Sequence, residues 1–262
     1  MAAVPHSPLF DLQGRTVLVT GATGGLGQAL CQALAAHGAQ LLVCDRDPAA
    51  CEQLTQALRH AGHAAHALPC DLADPDQVRA LIRDAAQPFG LPHGLVCNAG
   101  VQGPAGPLHA VSDAAWEQVM DINLRSVHRL CAGLLPAMAA QGGARVVLMS
   151  SIAGLRGNGR IGLYGLSKAA LAQLARNLAI EWGPQGVCVN ALSPGLIRTP
   201  LATELLNNHD FMSRRLAQTP LRRVGEPHEV AGLAVLLLSA AGGFITGQNL
   251  VVDGGTTVSD GS

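Results

Sequence analysis

The sequence predicts an α/β fold, a single doubly wound parallel sheet of about seven strands flanked by helices. Short apolar runs alternate with longer stretches of helical periodicity along the 262 residues, the pattern of strands joined by helical crossovers. A glycine cluster separates the first apolar run from the first helical stretch, where a tight turn and close backbone approach to a ligand are possible. No Pro/Ser-rich linker, low-complexity tract or internal repeat divides the chain, so 1–262 reads as one domain.

The elements follow in order. Val17 to Val19 in Arg15-Thr-Val-Leu-Val-Thr20 are expected to form a buried strand at 16–20. Leu26, Leu30 and Leu34 recur at four-residue spacing and Gly38 follows as a stop, which gives a helix near 25–37. The next strand, 40–44, ends at Asp45. Further helices are expected near 48–61, 75–87, 113–140, 163–182 and 227–239, and further strands near 64–68, 94–97, 144–150, 186–191 and 248–252. In such sheets ligands lie beyond the carboxyl ends of the strands. Gly21, Asp45, Asp71, Asn98, Ser151 and Pro194 each follow an expected strand.

Composition narrows the function classes. Hydrophobic residues make up 48% of the chain and charged residues 13%, with a net charge of −1. No basic stripe argues for nucleic acid or anionic lipid, and no apolar run reaches the ~18 residues needed to span a bilayer. Met1 to Leu9 lacks the basic start and long apolar core of a secretory signal, so a cytoplasmic protein is expected. The seven cysteines form no C-x-x-C pair and several sit at apolar strand ends, which reads as reduced, buried small hydrophobes. His60, His63 and His66 run from a helix end past Gly62 into a strand, so no metal site is expected there.

Tyr164 and Lys168 stand four residues apart on one helix face, with Ser151 thirteen residues before the Tyr. A phenol titrates near ~10 and a neighbouring ammonium favours the phenolate. The pair is therefore expected to act as a general acid/base with a lowered Tyr pKa. Near the N-terminus, glycines open a helix whose free N–H groups suit a pyrophosphate. Asp45, eighteen residues after Gly27, stands where a dinucleotide-binding unit places a ribose-binding acid.

Thr20-Gly-x-x-x-Gly-x-Gly27, Asn98-Ala-Gly100, Asn123, Ser151, Tyr164-x-x-x-Lys168 and Pro194-Gly-x-x-x-Thr199 occur together in one order and spacing. In this the chain resembles the short-chain dehydrogenase/reductase family, over about residues 11 to 255. The resemblance implies a Rossmann-type sheet and a set of roles. Gly21, Thr23, Gly25, Leu26 and Gly27 would turn around the pyrophosphate. Asp71 would face the adenine amino group with Leu72 beside it. Asn98, Ala99 and Gly100 would brace the sheet and touch the adenosine ribose. Tyr164 would exchange the substrate hydroxyl proton and Ser151 would orient the substrate oxygen. Lys168 would hold the nicotinamide ribose, Asn123 would anchor a water leading to the Lys, and Pro194, Ile197 and Thr199 would lie against the carboxamide. The Val251-Val-Asp-Gly-Gly255 segment resembles the family's subunit-contact strand, and a homotetramer is expected.

Asp45 would repel a 2′-phosphate, and residues 22 to 26 hold no cation, so NAD is expected over NADP; Arg46 is the dissenting residue. The substrate is expected to be a small alcohol or ketone. Its pocket would be built by segments after Asn98, between Ser151 and Tyr164, and by a lid around 196–221 carrying Leu201, Leu205, Leu206, Phe211, Met212 and Leu216. Arg156 and Arg160 lie near the Ser and Tyr and could meet an acidic substrate, although a solvated loop explains them more simply. The leading expectation is an NAD-dependent secondary-alcohol dehydrogenase or ketone reductase. The alternatives are an NADPH-dependent 3-oxoacyl-[acyl-carrier-protein] reductase and a non-catalytic dinucleotide-binding sensor, which would have no need of Asn123, Ser151, Tyr164 and Lys168.

Overall fold

The computed structural model describes residues 8–259; 1–7, most of the segment read for a signal, and 260–262 lie outside the described residues. Seven strands form one sheet: β1 (Thr16–Thr20), β2 (Gln40–Cys44), β3 (Ala65–Ala67), β4 (Gly94–Cys97), β5 (Arg145–Met149), β6 (Cys188–Pro194) and β7 (Asn249–Val252). Their order is β3-β2-β1-β4-β5-β6-β7 and every pairing is parallel. β1 and β4 are buried along their whole length, because a sheet covered on both faces needs continuous apolar runs rather than alternation. The strand order reverses between β1 and β4, which opens a crevice at their carboxyl ends.

The crossovers are α1 (Gly25–Ala36), α2 (Pro48–His60), α3 (Pro75–Asp84), α4 (Asp113–Met120), α5 (Ser126–Ala140) and α6 (Gly162–Trp182). Beyond β6 come α7 (Thr203–Leu206), α8 (His209–Ala217) and α9 (Pro227–Leu238). Asp47 and Asp74 accept backbone N–H groups of the first turns of α2 and α3, each with a proline next, and Glu226 and Glu229 form a reciprocal cap on α9. On one face of the sheet Leu18, Leu42 and Leu95 pack with Leu130, Leu134 and Leu171 of α5 and α6. On the other, Val17, Val19 and Val96 pack with Leu30 and Leu34 of α1 and Val235 of α9. All seven cysteine thiols are free and buried.

Two expectations are corrected. The helix expected at 113–140 is interrupted by a π-turn, Asp121–Arg125, between α4 and α5. The wider turn carries Asn123 inward, where its side chain bonds the backbone of Val101. The strand expected at 186–191 continues to Pro194, because β7 pairs with it as far as Pro194 opposite Val252. The segment expected as a lid, 196–221, holds a short turn at Pro200–Ala202 followed by α7 and α8, and Leu201 is 69% and Leu205 40% exposed.

Candidate active site

The glycine turn is built by what its residues lack. Gly21 has φ +63°, and a side chain there would lie 2.7 Å from the Ala99 Cα. At Gly27 a side chain would strike the Gly21 carbonyl, so the helix closes on the strand only with glycine at both positions. Leu26 is half-buried against the core. α1 begins at Gly25 with no side-chain cap at Gly24, which leaves its first N–H groups to an anion. Thr23 donates to Asp45 Oδ2 through its N–H (3.1 Å) and its hydroxyl (2.7 Å), while the Arg46 N–H donates to Oδ1 at 2.8 Å. The carboxylate is thus fixed at the end of β2 beside the turn. The Cys70 N–H donates to the Asp45 carbonyl at 2.8 Å, tying β2 to the turn that carries Asp71 and Leu72. Asp71 accepts the Ala73 N–H at 2.9 Å, and Leu72 is buried in the core.

At the other end of the crevice the Ser151 hydroxyl lies beside the Tyr164 phenol, near enough to favour its ionised form. Ser151 also accepts the Ala153 N–H at 3.1 Å, and this starts a short turn, Ile152–Gly154, packed on α6. One helical turn beyond Tyr164, the Lys168 side chain is 3% exposed. Its Nζ donates to the Met149 carbonyl at 2.7 Å and stands 5.5 Å from the Tyr164 ring centre. Burial pushes the ammonium down to about 8. The phenol is pushed up, by burial first, with the Ser151 hydroxyl acting against it. The expected lowering of the Tyr pKa by the Lys therefore does not occur in the free protein. The ammonium is itself weakened by burial and turned toward a carbonyl, so it does little for a phenolate.

Asn123 is fully buried. Its Oδ1 accepts the Val101 N–H at 2.8 Å, and its Nδ2 donates to the Val101 carbonyl (2.8 Å) and to Ser167 Oγ (3.0 Å). Ser167 Oγ in turn donates to the Tyr164 carbonyl at 2.8 Å. A side chain at Gly100 would lie 3.1 Å from Lys168 Nζ and 3.3 Å from Asn123 Oδ1, so its absence keeps a small polar space open between the two. Asn98 bridges the neighbouring strands: its Nδ2 donates to the Thr20 (3.2 Å) and Gly21 (2.9 Å) carbonyls. Ala99 completes the turn with its N–H to Thr20 Oγ1 at 3.3 Å.

Pro194 ends β6 and Ile197 is buried in the core beside it. Thr199 and Pro200 cross over the glycine turn, the Pro200 Cδ lying 2.5 Å from where a Gly25 side chain would begin. The candidate cofactor and proton-transfer residues thus stand in the turns that follow β1 to β6, on the π-turn and on α6. Ser150, whose hydroxyl donates to the Lys168 carbonyl at 2.7 Å, Ser167 and the Met149 carbonyl were not foreseen. The first two carried a faint signal as serines adjoining Ser151 and Lys168; the third is a backbone atom with none.

A glycine turn, an acid held at the end of β2 and a Ser–Tyr–Lys cluster on an α/β sheet define a dinucleotide-dependent oxidoreductase class. A family model described as enoyl-(acyl carrier protein) reductase matches residues 21–257. Cis-4-hydroxycyclohexanecarboxylate dehydrogenase of Sinomonas cyclohexanicum is 38% identical over 243 residues, 93% of this chain and 96% of that protein. Among solved structures, a gluconate 5-dehydrogenase from Burkholderia cenocepacia in complex with NADP and tartrate superposes with a TM-score of 0.92 at 32% identity, covering 96% of this chain and 98% of that one. A 7α-hydroxysteroid dehydrogenase with NADH and 7-oxo glycochenodeoxycholic acid gives 0.91 at 30% identity over 96% and 98%. The chain belongs to the short-chain dehydrogenase/reductase family.

The buried Lys168 has a signature in stability. Its folded pKa of about 8 lies below the ordinary 10.5, so between these values the unfolded chain binds more protons and stability rises with pH. The raised Tyr164 pKa acts in the opposite direction only above its ordinary 10.0. From pH 8 to 10 the wild type should therefore gain on the order of 2 kcal/mol relative to Lys168→Met. Thermal unfolding of both proteins across this range checks it; parallel curves would mean that the amine is not charged against a burial penalty.

Proposed function

We propose that the protein is an NAD(H)-dependent oxidoreductase that interconverts a secondary alcohol and a ketone, with Tyr164 as the general acid/base. The observation that carries this reading is the cluster of half-buried Ser151 and Tyr164 with buried Lys168, beside the crevice that begins at the glycine turn. The residues fit a nicotinamide dinucleotide. The uncapped start of α1 with Gly21, Thr23, Gly25, Leu26 and Gly27 would receive the pyrophosphate, Asp45 the adenosine ribose, and Asp71 and Leu72 the adenine. Asn98, Ala99 and Gly100 would border the adenosine ribose; Pro194, Ile197 and Thr199 would border the nicotinamide. The cofactor, once bound, supplies the hydride chemistry.

The chain's own residues bind, orient and move the proton. Ser151 would donate to the substrate oxygen and hold it against the Tyr164 hydroxyl. With its pKa raised, Tyr164 is protonated at neutral pH in the free protein, so it is ready to donate a proton to a carbonyl oxygen. For the reverse direction it must first lose its proton, and a positive charge beside the ring makes that easier. Lys168, one helical turn away, would supply that charge while its ammonium holds the cofactor ribose. Asn123 and the space beside Gly100 would admit a water that exchanges the proton with solvent.

Asp45 supports NAD over NADP, since its fixed carboxylate repels a second phosphate and accepts from ribose hydroxyls. Arg46, exposed beside it, supports the rival reading of an NADPH-dependent acyl-carrier-thioester reductase. The lid at 196–221 and the 101–104 and 152–163 segments would enclose the substrate. The buried thiols suit a cytoplasmic setting, and no helix among the described residues is long and apolar enough to cross a membrane.

A panel of hydroxy compounds with NAD, read by absorbance of the reduced nicotinamide, tests the reading. Tyr164→Phe should lower turnover ~10²–10⁴-fold while cofactor binding survives; near-normal turnover would remove the mechanism. Asp45→Ala should narrow or invert the NAD preference, since each charge-assisted hydrogen bond is worth ~1.5–3 kcal/mol, roughly tenfold or more. A wild type with higher kcat/KM for NADP would mean that Arg46 dominates. A homotetramer is proposed from Ile180, 80% exposed on α6, and from the exposed Leu166 and Trp116; light scattering that returns a monomer at micromolar concentration would exclude it.

A further inference from the structure

We infer that Arg156 and Arg215 form a two-arginine site for a carboxylate on the substrate, so that the alcohol or ketone is a hydroxy or keto acid. This rests on the proposed alcohol–ketone reading and names its substrate class. Arg215 lies on α8, in the segment that follows the strap over the glycine turn. Its Nε is shielded from solvent with no hydrogen-bond partner, and the guanidinium makes no ion pair among the described residues. A buried, unpaired donor of this kind costs free energy until an acceptor arrives. Burial, and then the nearby charge of Arg156, destabilise the Arg215 cation, and Asp253 offsets this in part. Asp253 is already committed: its carboxylate accepts the Gly255 N–H at 2.8 Å and the Thr257 N–H at 2.7 Å. With a second cation near it and its one nearby carboxylate already committed, Arg215 leaves a positive charge to be neutralised.

The position of the pair identifies what would do so. Arg156 stands two residues beyond the Ile152–Gly154 turn, which begins at Ser151 and rests on α6. The Ala153 carbonyl lies 2.7 Å from where a Gly165 side chain would begin, the residue after Tyr164. Asp253 follows β7 and abuts Gly195 just past the end of β6, 2.8 Å from its missing side chain. Arg215 stands one helical turn before Thr219, whose hydroxyl meets that of Thr256 at 3.0 Å just past β7, so it lies toward the β6–β7 end of the crevice, with Arg156 of the Ser151 loop close enough to weigh on its charge. The adenosine end, with Asp45 and Arg46, is at β2, four strands from β6 and so about 19 Å away. A 2′-phosphate held there cannot reach the pair. A substrate whose reacting oxygen is on Ser151 and Tyr164 can, with an anionic group at its far end. A planar guanidinium suits a planar carboxylate, which it holds through paired N–H donors.

The test compares 4-hydroxycyclohexanecarboxylate and 3-hydroxybutyrate with their primary amides, using the full chain and NAD. The acids should be preferred. The acid-to-amide ratio of kcat/KM should fall about 10- to 100-fold in Arg215→Met and in Arg156→Met, and Arg215→Lys should retain part of it. Arg214→Met, an exposed neighbour on α8, should leave the ratio unchanged. Arg156 is on an exposed turn, so Arg156→Met keeps the test decisive if Arg215→Met folds poorly. A wild type that turns over amides as well as acids, or a ratio untouched by both variants, would overturn the two-arginine site and leave the oxidoreductase reading standing. Calorimetric titration of the same acids separates the reverse case. Acid binding that is lost in Arg156→Met, with no alcohol oxidised, would keep the anion site and remove the oxidoreductase reading; no binding and no turnover would remove both.

Discussion

Lys168 is a cation nearly closed off from water, and the architecture around it exists to make that tolerable. Burying an ammonium is costly unless its donors are satisfied. The Met149 carbonyl at the end of β5 meets one of them at 2.7 Å. The adjoining Ser150 hydroxyl grips the Lys168 carbonyl at 2.7 Å, so strand and helix are bolted together from both sides of the residue. Gly100 leaves room for the amine, and Asn123 holds the backbone just beyond Gly100 while its other amide hydrogen reaches Ser167. β5, α6, the π-turn and the turn after β4 therefore share one small polar centre. Because Tyr164 is one helical turn from the amine, fixing Lys168 also fixes the phenol.

The same economy operates at the adenosine end. Asp45 could have been a loose surface acid. Instead Thr23 of the glycine turn donates to it twice and Arg46 once. Three donors hold the carboxylate aimed before any ligand arrives, which lowers the entropic cost of binding. They also use acceptor capacity that ribose hydroxyls would share. The positions of Gly21 and Gly27 matter here because only a turn without side chains brings Thr23 this close to the end of β2.

Much of this was legible in the sequence. The strands could be read because a sheet covered on both faces demands unbroken apolar runs such as Thr16–Thr20 and Gly94–Cys97. Asp45, Ser151, Tyr164 and Lys168 stood at strand ends or on one helix face, where local spacing determines position. What the sequence did not disclose depends on distant contacts. The π-turn arises from Asn123 bonding Val101, 22 residues away. The direction of the Tyr164 shift follows from burial, which spacing does not encode. Arg215 was hidden among the residues of the 196–221 segment, and nothing local distinguishes it from the exposed Arg214 beside it.

The strap at Thr199 and Pro200 touches the glycine turn at Gly25, and Arg215 follows it on the same stretch of chain, beyond α7. The two ends of the crevice are in this way covalently continuous through the 196–221 segment. A molecule seated against the strap at the turn would act on the position of α8 through this stretch of chain. Thermodynamic linkage makes this coupling symmetrical: whatever one ligand does for the affinity of the second, the second does for the first. Occupancy of the far end would then be felt as a change in grip at the glycine turn, through a segment that takes no part in the proton transfer.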